Sequence, residues 1–183
     1  MSIPLTTIVT NKKSLQDFFQ KHQKCITKGI KYNGFYLKDV LSGGCNTVLI
    51  TDELINKMET TFAPSLLQKY YAKLFELRVF YFDNKCYSAA LFSQQDEQTK
   101  IDFRNYNYDH PNRIVPYQLP FDIEKKLVQF MNEINMQSGS IDLIVTPELD
   151  YVFLEVNPVG QYSWISASCN FQLDKVIASY FKN

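Results

Sequence analysis

A chain of 183 residues, 45% hydrophobic and 21% charged, is long enough to bury one well-packed core or two small lobes, which excludes a disordered or fibrous protein. Its 19 basic and 19 acidic residues cancel, and no Lys/Arg cluster builds the one-signed face that binding a phosphate backbone needs, so nucleic acid is not an expected partner. The apolar stretches fall well short of the roughly 20 residues that span a bilayer, and the start MSIPLTTIVTNKK lacks a basic region followed by an apolar one, so no membrane attachment is expected.

Residues 5 to 9 (LTTIV) read as a short strand, and Asn11 as the N-cap of a helix over about 12 to 21 with Leu15, Phe18 and Phe19 on one stripe. CITKGI, 25 to 30, reads as the next strand. Gly34, Gly43 and Gly44 make the stretch from Lys31 to Asn46 a mobile loop or hairpin rather than a rigid element. A strand over about 47 to 51 and a short helix from Asp52 follow, and Pro64 marks the entry to a third region. There LLQKYY, FELRVFYF and CYSAALF read as strands, the last two joined at the two-residue turn Asp83-Asn84. Residues 94 to 120 are polar, hold three prolines and are expected to form a long active-site loop. A helix over about 122 to 136 places Ile123, Leu127, Phe130, Met131 and Ile134 at helical spacing, and Asn170 is expected to cap a last helix to about Tyr180.

Cys25, Cys45, Cys86 and Cys169 are far apart, form no CxxC pair and sit in apolar runs, so they read as reduced core residues, and the compartment expected from them is cytosolic. His22 and His110 lie apart from each other and from any cysteine cluster, which suits surface or loop positions better than metal ligation.

The strongest signal is SIDLIVTPELDYVFLEVNP, two alternating strands about the turn Pro147-Glu148-Leu149-Asp150. If that four-residue loop sets the register, Thr146 pairs with Tyr151 and the ladder runs down to Asp142 opposite Glu155. Ile141, Leu143, Val145, Val152, Leu154 and Val156 then share the buried face, and Asp142, Glu155 and Asn157 the other. Two carboxylates directly across a ladder repel unless a cation sits between them, and three oxygen donors on a hairpin suit magnesium. The plainer alternative is a solvated outer face, the commoner case for acidic residues. Ile144 and Phe153 share that face in this register, so it would be neither a clean surface nor a clean core.

GSIDLI followed by FLEVNPVGQY resembles the carboxy-terminal signature of ATP-grasp ligases. FELRVFYFDNKCYSAALFSQ, DFRNYN, PNRIVPYQLP and SASCNFQLDKVIA resemble the graspetide-forming branch, close to grasp-with-spasm maturases and similar to microviridin ligases. The likeness runs from IPLTTIVTN to the final helix. It implies an α+β ATP-grasp fold, two α+β subdomains with mostly antiparallel sheets gripping ATP between them, divided here into a flap and lysine subdomain (1–67) and a catalytic subdomain (68–183). It implies ATP and Mg2+ as cofactors, with Asp142, Glu155 and Asn157 as metal ligands and Lys28 reaching the ATP phosphates. LLQKYY resembles the hinge, which assigns Gln68, Lys69, Tyr70 and Tyr71 to the nucleotide, the backbone of Lys69 to Tyr71 meeting the adenine edge.

Arg78 and Arg104 match arginines that hold the γ-phosphate or an acyl phosphate in similar enzymes, a task for which the fixed fork of donors is suited. Arg113 is a weaker match for the same task. The plain alternative for Arg78 and Arg104 is two local ion pairs, with Glu76 and Asp102. The implied reaction turns a side-chain carboxylate of a precursor peptide into an acyl phosphate, captured by a hydroxyl or amine to give an ester or amide crosslink. Two other readings stand beside it, a nucleotide-binding module that does not catalyse and a structural domain with an acidic hairpin on its surface. Complete ligases of this kind have an additional N-terminal domain, which the resemblance implies is absent here since Met1 lies almost at IPLTTIVTN, and homo-oligomer formation is left open.

Overall fold

The structure is a computed structural model, and it describes residues 1–30, 35–37, 40–43 and 47–182. Most of the glycine-bearing stretch from Lys31 to Asn46, with Cys45, lies outside the described residues; within it, Phe35–Leu37 (β3) and Val40–Gly43 (β4) pair antiparallel. The chain divides into two compact units. One holds Pro4–Tyr71 and Asp96–Asp109, the other Met1–Ile3, Ala72–Gln95 and His110–Asn183.

The first unit is built on a four-stranded antiparallel sheet. Thr6–Asn11 (β1), Thr61–Lys69 (β6), Cys25–Lys28 (β2) and Val48–Leu49 (β5) lie side by side in that order. Lys12–His22 (α1) starts where the sequence places it, because the Asn11 side chain accepts the Ser14 amide at 2.9 Å and so caps one of the helix's free donors. Asp52–Lys57 (α2) is capped the same way by Thr51. The two helices close a core of Val9, Leu15, Cys25, Ile50, Ile55 and Leu67, against which Phe18 and Phe19 pack. Pro64 is not an entry point but a residue inside β6. It is tolerated there because it faces the irregularity between Val9 and Asn11 on one side and lies past Leu66, where pairing with β2 ends, so no ladder donor is missed.

The second unit holds a five-stranded antiparallel sheet. Its order is Tyr151–Asn157 (β11), Ser138–Val145 (β10), Phe75–Phe82 (β7), Lys85–Phe92 (β8) and Arg113–Tyr117 (β9). The turn Asp83-Asn84 has φ of 46° and 61°, the doubly left-handed turn that matches the twist of a tight hairpin. Central β7 is buried on both faces, which is why it reads as a nearly unbroken apolar run. On one face Phe121–Glu133 (α3) packs through Ile123, Leu127 and Met131 on Leu77, Val79, Ile141 and Leu143. On the other, Ser163–Cys169 (α4) and Leu173–Tyr180 (α5) cover Phe80 and Ala89 with Ile165, Cys169 and Leu173.

Other expectations are corrected as well. Residues 94 to 120 are not one long loop: Arg113–Tyr117 is an edge strand, the place where a sheet admits a proline such as Pro116. Asn170 is the left-handed C-cap of α4, a helix the sequence did not disclose, while α5 starts at Leu173 after Gln172 in the N-cap position, and its Leu173 amide donates to the Ser166 hydroxyl at 3.0 Å. Thr146 does not pair with Tyr151; Val145 does, and Thr146 closes the turn by donating to the Asp150 carbonyl. The register then slips by one residue, so that Asp142 still meets Glu155.

That slip is a β-bulge at Leu154. In an unbroken strand residues 153 and 155 would share a face. With one extra residue between the paired positions, Phe153 turns to the α3 side, 5.1 Å from the Phe130 ring, while Glu155 turns to the opposite side. The slip also moves Val152 beside Ile144 and away from the α3 face where the sequence register had placed it. The outer edge of β11 is met by Ser2, which exchanges hydrogen bonds with Tyr151 and Phe153. Covering an edge in this way removes an exposed row of unpaired amides.

Candidate functional site

Asp142, at the middle of β10, has Arg78 of β7 directly on one side and Glu155 of β11 directly on the other. One row down, Ser140 lies between Phe80 and Asn157. Because paired residues project to the same side of a sheet, Arg78, Asp142, Glu155 and Asn157 all stand on the face that α4 and α5 cover only in part. Arg78 and Asp142 are largely buried, whereas Glu155 and Asn157 are exposed at the edge. The row therefore runs from the protein interior to solvent across three strands.

Arg78 donates from Nη1 to both Asp142 carboxylate oxygens, at 2.9 and 2.8 Å. Burial, aided by the Glu155 and Glu76 charges, outweighs the downward pull of the Arg78 charge and its hydrogen bonds and leaves the Asp142 carboxyl raised to about 6. One guanidinium thus fails to offset the desolvation and the neighbouring acids, a local deficit of positive charge. Arg78 Nε and the Ser140 hydroxyl are buried without a hydrogen-bond partner among the described residues. The Asn157 Oδ1 accepts the Val159 amide at 3.1 Å, which orients the carboxamide and leaves its second lone pair. Gly160 follows with φ +46°, and a Cβ there would meet the Ser140 backbone and hydroxyl at 3.3 Å, so the loop after Asn157 lies close against β10.

The local pair with Glu76, the plain alternative for Arg78, does not form among the described residues. Glu76 instead takes the Lys73 ammonium at 2.8 Å and the Ser93 hydroxyl at 2.7 Å in a buried cluster, which leaves Arg78 to Asp142. The pair between Arg104 and Asp102 is present: Nε and Nη2 donate to the two carboxylate oxygens at 2.8 and 2.6 Å, and the Arg104 and Thr47 amides add two more donors at 3.1 and 2.9 Å. Burial works against the Asp102 charge, but these donors outweigh it and hold the carboxyl down at about 2. Arg104 belongs to the first unit and Arg78 to the second. Lys28 is half-buried at the end of β2, opposite Leu66. Arg113 opens β9 with its guanidinium 5.3 Å from the Phe92 ring centre.

No protein-family model matches the chain, and no curated protein matches it in sequence. Solved structures do match. A RiPP-associated ATP-grasp ligase of Chryseobacterium gregarium, in complex with ADP and a leader and core peptide, is 28% identical over 91% of this chain and 50% of its own, with a TM-score of 0.82. The macrocyclase MdnC of Microcystis aeruginosa, bound with precursor peptide MdnA, is 30% identical over 91% of this chain and 51% of its own, with a TM-score of 0.72. The macrocyclase MdnB of the same organism, at 22% identity and a TM-score of 0.67 over 98% of this chain and 54% of its own, adds agreement in fold. The chain carries the ATP-grasp fold. It spans about half the length of these relatives.

Gln68 and Lys69 end β6 and Tyr70 and Tyr71 follow it, and the backbone of this stretch is partly engaged. The Lys69 amide donates to the Leu5 carbonyl at 2.9 Å and the Tyr70 amide to the Lys24 carbonyl at 3.0 Å, while the Tyr71 amide has no partner among the described residues. The Gln68 side chain is buried and donates to the Thr6 hydroxyl at 3.0 Å, a contact that ties β6 to β1. Lys24 and Lys69 stand over the Tyr70 and Tyr71 rings, 4.1 and 5.4 Å from their centres.

The donor set of the acidic row fits magnesium. Among the described residues no group of three or more His, Cys, Asp or Glu is placed to hold a metal, but Mg2+ takes one or two carboxylates and completes its shell with waters and phosphate oxygens. Asp142 and Glu155 have the carboxylates such a shell would need, and the Asn157 amide oxygen is a third oxygen donor beside them. A cavity of about 610 Å³, lined in part by Tyr87 and Phe171, lies near the β7–β8 turn, away from the charged row. It is the convergence of charge, and not concavity, that marks the site. Trp164, whose ring centre is 6.0 Å from the Arg78 guanidinium carbon, was missed by the sequence reading because it lies on the undetected α4. Its being the chain's one Trp, seven residues after Asn157, was the available signal. No helix among the described residues is long and apolar enough to cross a membrane.

Proposed function

We propose that this chain is the nucleotide-binding and catalytic part of an ATP- and Mg2+-dependent carboxylate–amine or carboxylate–hydroxyl ligase. It would form ester or amide crosslinks in a ribosomally made precursor peptide through an acyl phosphate. The observation that carries this reading is the row Arg78, Asp142, Glu155 on three neighbouring strands, with Asn157 beside it, in a chain whose ATP-grasp relatives are solved with ADP or a precursor peptide.

Asp142, Glu155 and Asn157 would hold magnesium, and when bound it would supply charge neutralisation and Lewis-acid polarisation at the phosphates. Arg78 presents a buried guanidinium with an unpartnered Nε to that edge of the sheet. Lys28 and Arg104 are the matching cations of the first unit, and a compact ammonium and a planar fork suit a shifting phosphate charge and a fixed phosphoryl group respectively. The Tyr71 amide is the hinge donor for the adenine edge, and the Lys69 and Tyr70 amides serve the fold instead. The division of labour proposed is 1–67 for the lysine and flap and 68–183 for the metal and the chemistry. No side chain is assigned as a nucleophile, since burial pushes the Cys86 thiol up to about 12.

The second reading, a nucleotide-binding module without turnover, is favoured by one observation: Arg78 and Arg104 are each already gripped by an aspartate. A thermal shift with millimolar ATP, with and without Mg2+, should raise Tm only when both are present; no shift would remove both readings. Mass spectrometry of a precursor peptide encoded beside this protein then separates them, because each crosslink removes one water and a module without turnover removes none.

A further inference from the structure

The orientation of Arg78 is set by very few groups. Its Nη1 is held by Asp142, its Nε has no hydrogen-bond partner among the described residues, and its guanidinium carbon lies 6.0 Å from the centre of the Trp164 ring. The nearest other acid on its strand, Glu76, is taken by Lys73 and Ser93. Trp164 is in the first turn of α4, a helix fixed by Ile165 and Cys169 in the core over Phe80 and Ala89. The indole is therefore an anchored wall.

The metal-holding role proposed above for Asp142 conflicts with its grip on Arg78. A carboxylate that turns its oxygens to a cation releases the guanidinium it held, and the aromatic face is then the remaining restraint on Arg78. We propose that Trp164 is a positioning residue for Arg78, keeping the guanidinium aligned for phosphate oxygens when Asp142 is engaged elsewhere, and that its emission reports on that contact. This inference rests on the nucleotide reading above. A planar guanidinium stacks on an indole far better than on an aliphatic chain, so the aromatic face and not the bulk is what matters.

The test uses the full chain with Trp164→Leu, Trp164→Phe and Arg78→Met, each checked for native circular dichroism. Titration calorimetry with Mg·ATP and, separately, with adenosine should show Trp164→Leu weakening Mg·ATP about tenfold with adenosine unchanged, and Trp164→Phe recovering most of the loss. In ligand-free protein Arg78→Met should change the Trp164 emission, and Mg·ATP should change it in the wild type. Equal losses for adenosine and Mg·ATP, or wild-type Mg·ATP affinity in Trp164→Leu, would overturn the positioning role; an emission spectrum indifferent to Arg78→Met would overturn the contact. A wild-type chain that binds no Mg·ATP instead removes the nucleotide reading itself, and the positioning role with it.

Discussion

Asp102 and the Lys73–Glu76 pair show how differently two ion pairs bear on stability. Asp102 has its carboxyl held at about 2, below the ordinary 3.8, so the folded state binds its proton less readily than the unfolded chain. The contribution is present in full above about pH 4 and is lost as pH falls toward 2, and it amounts to about 2 kcal/mol. Urea unfolding between pH 5 and pH 2.5 should show Asp102→Asn losing less stability on acidification than the wild type. Lys73 and Glu76, by contrast, have side chains only 4% and 10% exposed, where desolvation offsets much of the attraction. Glu76→Leu should cost about 3 kcal/mol because it takes a carboxylate away from a buried ammonium, whereas Lys73→Met with Glu76→Leu should cost less. A double-mutant cycle in denaturant measures the difference, and additive losses would contradict it.

At the scale of elements, the hairpin β10–β11 does two jobs through one irregularity. The bulge at Leu154 lets Phe153 complete the core under α3 while Glu155 stays opposite Asp142. Its turn carries a different irregularity: Leu149 has φ 65°, is 62% exposed and donates to the Thr146 carbonyl. A branched side chain in the left-handed region is unfavourable, and here little packing offsets it. Leu149→Gly should therefore stabilise the protein by about 0.5 kcal/mol, seen as a rise in Tm, even though glycine adds entropy to the unfolded chain.

For the whole molecule, the notable feature is that each unit closes its own core. Leu67 sits in one and Leu127 in the other, both fully buried. Truncation of either to Ala should cost about 2 to 5 kcal/mol, and amide exchange should accelerate chiefly within the unit that holds the mutation. Exchange rising equally throughout both units would contradict separate cores.

Helix α1 and the β7–β8 hairpin were legible because local chemistry decides them: a cap residue before an amphipathic stripe, and two residues that tolerate positive φ between alternating strands. The pairing of Asp142 with Glu155 was legible as well, though through a register that the bulge later corrected, since two compensating offsets, at the turn and at Leu154, do not show in an alternation pattern. What composition and spacing could not reveal were long-range choices. Which acid Arg78 grips depends on the neighbour that β7 acquires in the sheet, while Glu76 is taken by Lys73 close by and by Ser93, seventeen residues away along the chain. The return of Asp96–Asp109 to the first unit and the placing of Trp164 over Arg78 are of the same kind. Local propensity settles which segments become helix or strand, but partners far apart in sequence meet only when burial of the cores brings them together.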